Sequence, residues 1–248
     1  MKNILNKTYI HPIFLITLLL FILMGQFRFL FYFMLLITLH EIGHLITSII
    51  FKWNINKIII LPFGALIKYE EKINRPLKEE FIIAISGIIF QIIFYYMLTL
   101  IFSLNYKYLS AINIFIIIIN IIPIYPLDGS KVISVILNIL TSYKKSINLT
   151  IIISYIFISI ISIKYLYLNK IIYVYLYFLF KETFNLYKKR KDLFNKFLLE
   201  RYIYEYNFKK EKKINKIEDM KKDYRHIFYI NKRYITEKTF LRDYFSIK

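Results

Sequence analysis

Two histidines and one glutamate lie within five consecutive residues, His40-Glu41-Ile42-Gly43-His44. On an α-helix, His40 and His44 are one turn apart and share a face, so their imidazoles can bind one Zn²⁺ ion. Glu41 lies beside them and can act as a general base toward a water molecule on that metal. The types and spacing of these residues therefore predict a zinc hydrolase centre that needs a further ligand from elsewhere in the chain.

This motif lies inside a long apolar run that extends from residue 27 to residue 51. Ionisable side chains are costly in hydrocarbon, so a cluster of them within a membrane span indicates a functional site. The chain has 248 residues, of which 58% are hydrophobic, and it contains no cysteine. A metal site must therefore use histidine and carboxylate ligands. Of the two histidines outside the motif, His11 is expected at the membrane interface and His226 at the surface.

The composition predicts an all-α polytopic membrane protein with about six transmembrane helices. A small membrane-associated β-hairpin and a short soluble C-terminal tail complete the predicted fold. We expect residues 1–186 to form the intramembrane domain and residues 187–248 to form a cytosolic basic tail. The predicted spans are residues 10–24, 29–51, 81–102, 108–122, 149–168 and 171–184.

The hairpin is predicted between the second and third spans, at residues 55–69. Two β-branched segments flank the breaker sequence Pro62-Phe63-Gly64 there, which is typical of two short strands around a turn. One interpretation is that an edge strand pairs with an extended substrate, and the turn residues are then candidate substrate contacts. The other interpretation is a structural re-entrant loop that is buried in protein.

A second informative stretch follows the fourth span, where Pro123 and Pro126 break the helix just before Asp128. Asp128 is the only aspartate in the first 190 residues. A carboxylate at this depth needs a partner, and a metal ion is a suitable one. Alternatively, Asp128 is the N-cap of the next short helix. Asn120 is a candidate for hydrogen bonding to substrate or oxyanion, or else for a polar helix–helix contact.

The formal net charge of +19 fits a membrane protein whose lysines and arginines lie on the cytoplasmic side of the bilayer. Basic residues are concentrated in residues 1–9, 52–80, 141–146 and the tail, which predicts that both termini are cytoplasmic. The chain lacks a zinc-finger or RNA-binding signature, so we expect no direct binding of nucleic acid. The lipid bilayer is the expected surrounding.

The two polar stretches together resemble the site-2 protease family of M50-type intramembrane metalloproteases. The resemblance extends in order over roughly residues 10–205. It implies that His40, His44 and Asp128 bind one Zn²⁺ and that Glu41 is catalytic. Further segments that carry it are His11-Pro12, Leu61-Pro62-Phe63-Gly64, Asn74-Arg75-Pro76-Leu77-Lys78-Glu79-Glu80-Phe81, Pro123-Ile124-Tyr125-Pro126-Leu127-Asp128-Gly129 and Phe197-Leu198-Leu199-Glu200-Arg201-Tyr202.

Within that family, the sequence is most similar to members that act in sporulation. The resemblance implies that the substrate is an inactive sigma factor precursor, cut near its N-terminal pro-sequence in the mother-cell membrane around the forespore. It also implies inhibitory membrane partner proteins. The chain has Gly87-Ile88 where the family often has Gly-Pro. Many members carry a C-terminal CBS domain that responds to ATP, but the tail after Tyr202 is long enough for at most a remnant of one.

The mechanism expected from these residues is peptide hydrolysis by a zinc-activated water molecule, with Glu41 as general base. A polytopic metal or solute transporter is an alternative, because intramembrane histidine and aspartate also line transport paths. Transport does not explain Glu41 between the histidines, and it predicts internal repeats that the sequence does not show. An inert membrane scaffold is a third interpretation, which the intact set of candidate ligands argues against.

Overall fold

The computed structural model describes residues 8–10, 12–61, 64–69, 72–102, 106–164, 170–230 and 233–246. These residues form mainly α-helices and two small three-stranded sheets. The helices are α1 (Pro12–Leu23), α2 (Phe27–Ile50), α3 (Leu77–Phe102), α4 (Tyr106–Ile121), α5 (Asp128–Leu140), α6 (Tyr143–Lys164), α7 (Lys170–Ile203) and α8 (Glu237–Ser246). The strands are β1 (Thr8–Ile10), β2 (Ile55–Leu61), β3 (Gly64–Tyr69), β4 (Lys210–Ile214), β5 (Tyr224–Ile230) and β6 (Arg233–Thr236).

Three helices in the described ranges, α2, α3 and α6, are long and apolar enough to cross a membrane. Two shorter apolar helices, α1 and α4, accompany them. The long helices leave large apolar side chains exposed, among them Ile50, Leu100 and Ile163. Lipid accommodates such surfaces better than water does, which supports a membrane protein. Six spans remain a prediction.

The predicted helix bounds hold best where no polar segment adjoins the apolar run. Helices α1, α2 and α4 begin and end within two residues of the predicted spans. By contrast, α3 begins at Leu77, because Glu79 and Glu80 form its first turn instead of a surface segment. Acidic residues are favourable there, since they face the positive end of the helix dipole. Likewise α6 begins at Tyr143, where the sequence was expected to form a basic turn.

Residues 1–71 and 82–120 form one compact unit. Its core joins α2, α3 and α4 through seven buried side chains, which are Phe33, Leu36, Ile37, Tyr95, Leu109, Ile112 and Ile116. Helices α2 and α3 approach each other closely at Gly43, where a Cβ atom would lie 2.7 Å from the carbonyl oxygen of Ser86. A small residue permits such an approach, as the sequence predicts.

The first sheet confirms the predicted hairpin and adds a strand to it. Strands β2 and β3 pair antiparallel, and β1 pairs parallel with β2. The order β1-β2-β3 makes β3 one edge of the described sheet. Pro62 and Phe63 of the predicted turn lie outside the described residues. Gly64 lies within them and has φ +141°, a conformation that glycine tolerates best.

Residues 72–81 and 121–248 form the second compact unit, which contains the predicted helix break. Helix α4 ends at Ile121 and α5 begins at Asp128. The backbone N–H of Tyr125 donates to Oγ of Ser154 over 3.0 Å, and Oγ1 of Thr183 donates to the Tyr125 carbonyl over 3.2 Å. The hydroxyl groups from α6 and α7 thus form hydrogen bonds with backbone groups in the non-helical segment. Non-helical backbone is tolerated at membrane depth only when its polar groups are satisfied in this way.

The C-terminal residues fold as a sheet with a helix beside it. Strand β4 pairs parallel with β5, and β5 pairs antiparallel with β6. The predicted domain boundary at residue 186 falls inside the continuous helix α7. Buried residues of the tail pack in one core with residues of α6 and α7. These two helices supply apolar surface that the tail alone lacks. The core includes Phe228, Met220 and Leu241 from the tail, Tyr143 from α6 and Phe197 from α7.

Candidate metal centre

Helix α2 places the two motif histidines side by side in the interior of the first unit. His40 and His44 are 0% and 4% exposed, and their Nε2 atoms lie 3.1 Å apart. Glu41 is half-buried on the neighbouring face. The one-turn spacing of the motif thus brings two imidazole nitrogens together, as the sequence predicts.

The Nδ1 atom of each histidine faces an oxygen atom from α3. His44 Nδ1 lies 2.7 Å from the backbone carbonyl oxygen of Ile83, and His40 Nδ1 lies 3.0 Å from Oε1 of Gln91. A carbonyl oxygen can only accept a hydrogen bond, so Nδ1 of His44 carries the proton and its Nε2 carries a lone pair. The two Nε2 atoms are therefore placed to act as ligands.

The space around these nitrogens fits a metal ion. A tetrahedral zinc with Zn–N distances of about 2.0–2.1 Å separates two ligand nitrogens by about 3.3 Å, close to the spacing of the two Nε2 atoms. Gly87 of α3 leaves the adjoining space open, since a Cβ there would lie 2.6 Å from His40 Nε2 and would overlap His44 Nε2. The donor types, their spacing and the missing side chain all suit zinc.

Asp128 is the first residue of α5 and is 5% exposed. The residue before it, Leu127, is the N-cap, and that end of the helix has no side-chain capping bond. Asp128 thus occupies the first helical position, one residue after the N-cap position. A Cβ at Gly129 would overlap the carbonyl oxygen of Ile121, so glycine is required there for the chain to pass. Oδ1 of Asp128 accepts a hydrogen bond from Nζ of Lys131 over 2.8 Å.

His40 and His44 belong to the first compact unit, and Asp128 belongs to the second. Each offers an atom of a type that binds zinc, an imidazole nitrogen or a carboxylate oxygen. All three residues are buried. Two imidazoles and one carboxylate are a common zinc ligand set in hydrolases that leave a position for water.

Gly64, the first residue of β3, lies directly against Glu41, the candidate general base. A Cβ on Gly64 would lie 2.7 Å from Oε1 of Glu41 and 3.8 Å from the side chain of Ile37. Only a residue without a side chain permits this approach, and the positive φ of Gly64 favours glycine as well. The first residue of β3 is thus fixed beside Glu41.

Asn120 is buried, and its Nδ2 donates to the carbonyl oxygen of Ile116 within the same helix. This bond is typical of an amide in helix packing, so a role of Asn120 in binding substrate stays a prediction. Ser86 and Gln91, two polar residues of the apolar helix α3, are buried, and the sequence alone did not assign them to the site. It could not assign their partners, which lie on other helices.

Comparison with known proteins agrees with this geometry. The family model of peptidase family M50 matches residues 28–107, which include the histidine motif. The chain is 28% identical over 209 residues to stage IV sporulation protein FB of Bacillus subtilis (strain 168), which covers 81% of this chain and 73% of that protein.

A solved structure shares the fold. The site-2 protease from Methanocaldococcus jannaschii superimposes with a TM-score of 0.59 and 23% sequence identity, covering 72% of this chain and 89% of that one. At this identity the likeness shows the fold alone.

Proposed function

We propose that this chain is an intramembrane zinc metalloprotease that cleaves a membrane-associated pro-protein. In this proposal His40, His44 and Asp128 bind one Zn²⁺, and Glu41 is the general base. The observation that carries it is the buried pair of imidazole nitrogens, His40 Nε2 and His44 Nε2, which lie 3.1 Å apart with Glu41 next to His40 in the chain; Asp128 is added from the sequence resemblance. The M50 match over the motif supports the same reaction.

In the proposed hydrolysis, the motif histidines and Glu41 have different roles. Zinc, when bound, lowers the pKa of its water to about 7 and polarises the scissile carbonyl. Glu41 would accept the proton of the attacking water and return it to the leaving amine. The Nδ1 hydrogen bonds of His40 and His44 hold both rings in place. Because Glu41 is half-buried whereas the histidines are buried, it is the member of the motif that can meet a substrate.

The hairpin is the surface that we propose for holding substrate. A helical peptide hides its carbonyl groups in its own hydrogen bonds, so a transmembrane substrate has to unwind before cleavage. Strand β1 occupies one side of β2, and β3 forms the other edge of the described sheet. An extended peptide that pairs with β3 would pass Gly64, which lies against Glu41.

We propose a more specific substrate and cellular location from the similarity to known proteins. The relative in Bacillus subtilis is named as a sporulation protein. The sequence resemblance implies an inactive sigma factor precursor as substrate, inhibitory membrane partners, and the mother-cell membrane around the forespore as location. The basic loops support cytoplasmic termini.

The direct test replaces Glu41 with glutamine in the full-length protein, reconstituted in vesicles with a sigma factor precursor. We expect cleavage to fall by at least about 10²-fold, because the general base is lost, while zinc is retained. Glu182→Gln is the matched control, since Glu182 is also half-buried in a helix, and it should cleave like the wild type. Unchanged cleavage by Glu41→Gln would refute the assignment of the base.

A further inference from the structure

A chain of polar contacts runs behind His40 through the helices of the first unit. Gln91 of α3 is 0% exposed, and its Oε1 lies 3.0 Å from His40 Nδ1. Its Nε2 donates to Oδ1 of Asn113 over 2.8 Å and to the Asn113 backbone carbonyl over 3.2 Å. Asn113 belongs to α4 and is 6% exposed. Three helices thus join at one buried amide.

The donor and the acceptor of each hydrogen bond in this series of contacts can be assigned by starting from Asn113. The backbone carbonyl of Asn113 can only accept, so the group of Gln91 that faces it must be the NH₂. The oxygen of Gln91 must then face His40, and it too can only accept. His40 Nδ1 must therefore be the donor, which leaves the lone pair on Nε2. The orientation is fixed by a main-chain atom that no side-chain flip can change.

We propose that Gln91, held by Asn113, is a positioning residue that fixes the tautomer and ring orientation of His40 as a zinc ligand. The inference deepens the proposed function and rests on its metal site. The corresponding hydrogen bond of His44 is made to a main-chain atom, the carbonyl oxygen of Ile83. The pair is thus built asymmetrically: one ligand is anchored by backbone and the other by a replaceable side chain.

The alternative tautomer of His40 shows what Gln91 prevents. A proton on Nε2 would point toward His44 Nε2, 3.1 Å away, and would remove one of the two lone pairs. It would also leave Nδ1 without a proton opposite the Gln91 oxygen, so two acceptors would face each other in a buried site. Hydrogen-bond partners of metal ligands typically change metal affinity by about 10–100-fold when they are removed.

The test measures zinc affinity of the full-length protein in detergent by competition with a chromophoric chelator. We expect Gln91→Leu to weaken zinc binding by about 10–100-fold. Gln91→Glu should bind zinc more tightly than Gln91→Leu, because its carboxylate still accepts from Nδ1, and less tightly than the wild type, because it cannot donate to the Asn113 carbonyl. Asn113→Ala should have a smaller effect than Gln91→Leu, because the backbone carbonyl of residue 113 remains. Asn138→Leu is the control: Asn138 is a buried amide that bonds only within its own helix.

A second readout detects the tautomer without metal or activity. The chain has only four histidines, so ¹⁵N-histidine NMR of the zinc-free protein can resolve the motif pair. We expect the Nδ1–H form of His40 in the wild type and in Gln91→Glu, and a mixture of tautomers in Gln91→Leu. A general loss of structure would disturb His44 and His226 as well, whereas the proposed role affects His40 selectively.

The outcomes separate this inference from the proposed function. If the wild type binds no zinc, the metal site itself fails. If the wild type binds zinc and Gln91→Leu binds it equally well, with His40 still in the Nδ1–H form, only the role of Gln91 is overturned. Equal weakening by Gln91→Leu and Gln91→Glu would also overturn it, since the retained acceptor would then have no effect.

Discussion

Two buried histidine sites in this chain have opposite arrangements. His40 and His226 are both 0% exposed. The Nε2 of His40 faces a second imidazole nitrogen, His44 Nε2, at 3.1 Å, while its Nδ1 faces a neutral amide. His226 instead accepts a hydrogen bond at Nε2 from the backbone N–H of Lys221, over 3.0 Å, and its Nδ1 faces Oε2 of Glu237. The comparison teaches that burial alone does not make a ligand; what each ring nitrogen faces does.

The side chains around His226 are charged, whereas the Nδ1 atoms of the motif histidines face a neutral amide and a backbone carbonyl. Arg201, whose side chain is 1% exposed, donates to Oε1 of Glu237 over 3.0 Å and to Oδ1 of Asn74 over 2.7 Å. Glu200 accepts hydrogen bonds from the backbone N–H groups of Ile73 and Asn74. These groups cross-link α7, the segment before α3 and the tail sheet. His226 is therefore a structural residue, and the expectation that it lies at the surface is wrong.

The strongest test of the difference between the two sites removes one histidine from each. We expect His44→Ala to lose zinc and cleavage, because one of two imidazole ligands is gone. His226→Ala should retain zinc and become more sensitive to proteolysis in the tail, since the backbone N–H of Lys221 and the carboxylate of Glu237 lose a partner. Zinc content by mass spectrometry and limited proteolysis check the two results. Loss of zinc in His226→Ala alone would reverse the assignment.

How much the sequence could predict differs between these two sites for a physical reason. The spacing of His40 and His44 encodes their proximity, because the helix period is local information. The Pro126-to-Asp128 segment likewise encodes the helix break. The contact of Gln91 with His40 joins residues 51 positions apart on two helices, and no local pattern carries it.

The same limit applies to the tail. The burial of His226 depends on strand pairing and on Arg201, 25 positions earlier in the chain. The parallel pairing of β1 with β2 was not predicted either, since a three-residue strand has too little periodicity to be recognised. The sequence therefore predicted the hairpin and the proximity of the two motif histidines, but not the contacts that hold them.

A second prediction concerns the charged network of the tail. Arg201→Met should destabilise the tail by about 3–5 kcal/mol, because it removes the cationic partner of the Glu237 carboxylate and leaves only the hydrogen bonds from His226. Hydrogen exchange of the β5 amides measures this loss. Lys238→Ala is the control, since its ion pair with Glu205 is exposed and should contribute nothing measurable. Equal protection in the wild type and Arg201→Met would show that the network does not stabilise the tail.

The smallest expected effect is a dependence of tail stability on pH. Burial lowers the pKa of His226 below its ordinary value of 6.5, and the charges of Arg201 and Lys212 lower it further against the opposing effect of Glu237. Burial would raise the pKa of Glu237, but its hydrogen bond with His226 and the charge of Arg201 hold that pKa below its usual value. In both cases the unfolded state binds protons more readily, so stability is lost as the pH falls.

Hydrogen exchange of the tail between pH 7.5 and pH 5.5 checks this sign, after correction for the intrinsic dependence of exchange on pH. We expect protection of β5 to decrease once the pH falls below about 6.5, where His226 of the unfolded state takes up a proton. His226→Gln should show a weaker decrease, because only the contribution of Glu237 remains. A protection that rises on acidification would mean that the folded state favours the charged imidazole.

The ligand set of the metal centre is the central claim, and X-ray absorption at the zinc edge tests it directly. In the full-length protein loaded with one equivalent of zinc, we predict two imidazole nitrogens with the remaining ligands oxygen, because we propose His40, His44 and Asp128 as the protein ligands. His226→Gln should leave the spectrum unchanged, and Asp128→Ala should alter its oxygen shell. A spectrum with one or three imidazoles, or one that Asp128→Ala does not change, would contradict the account.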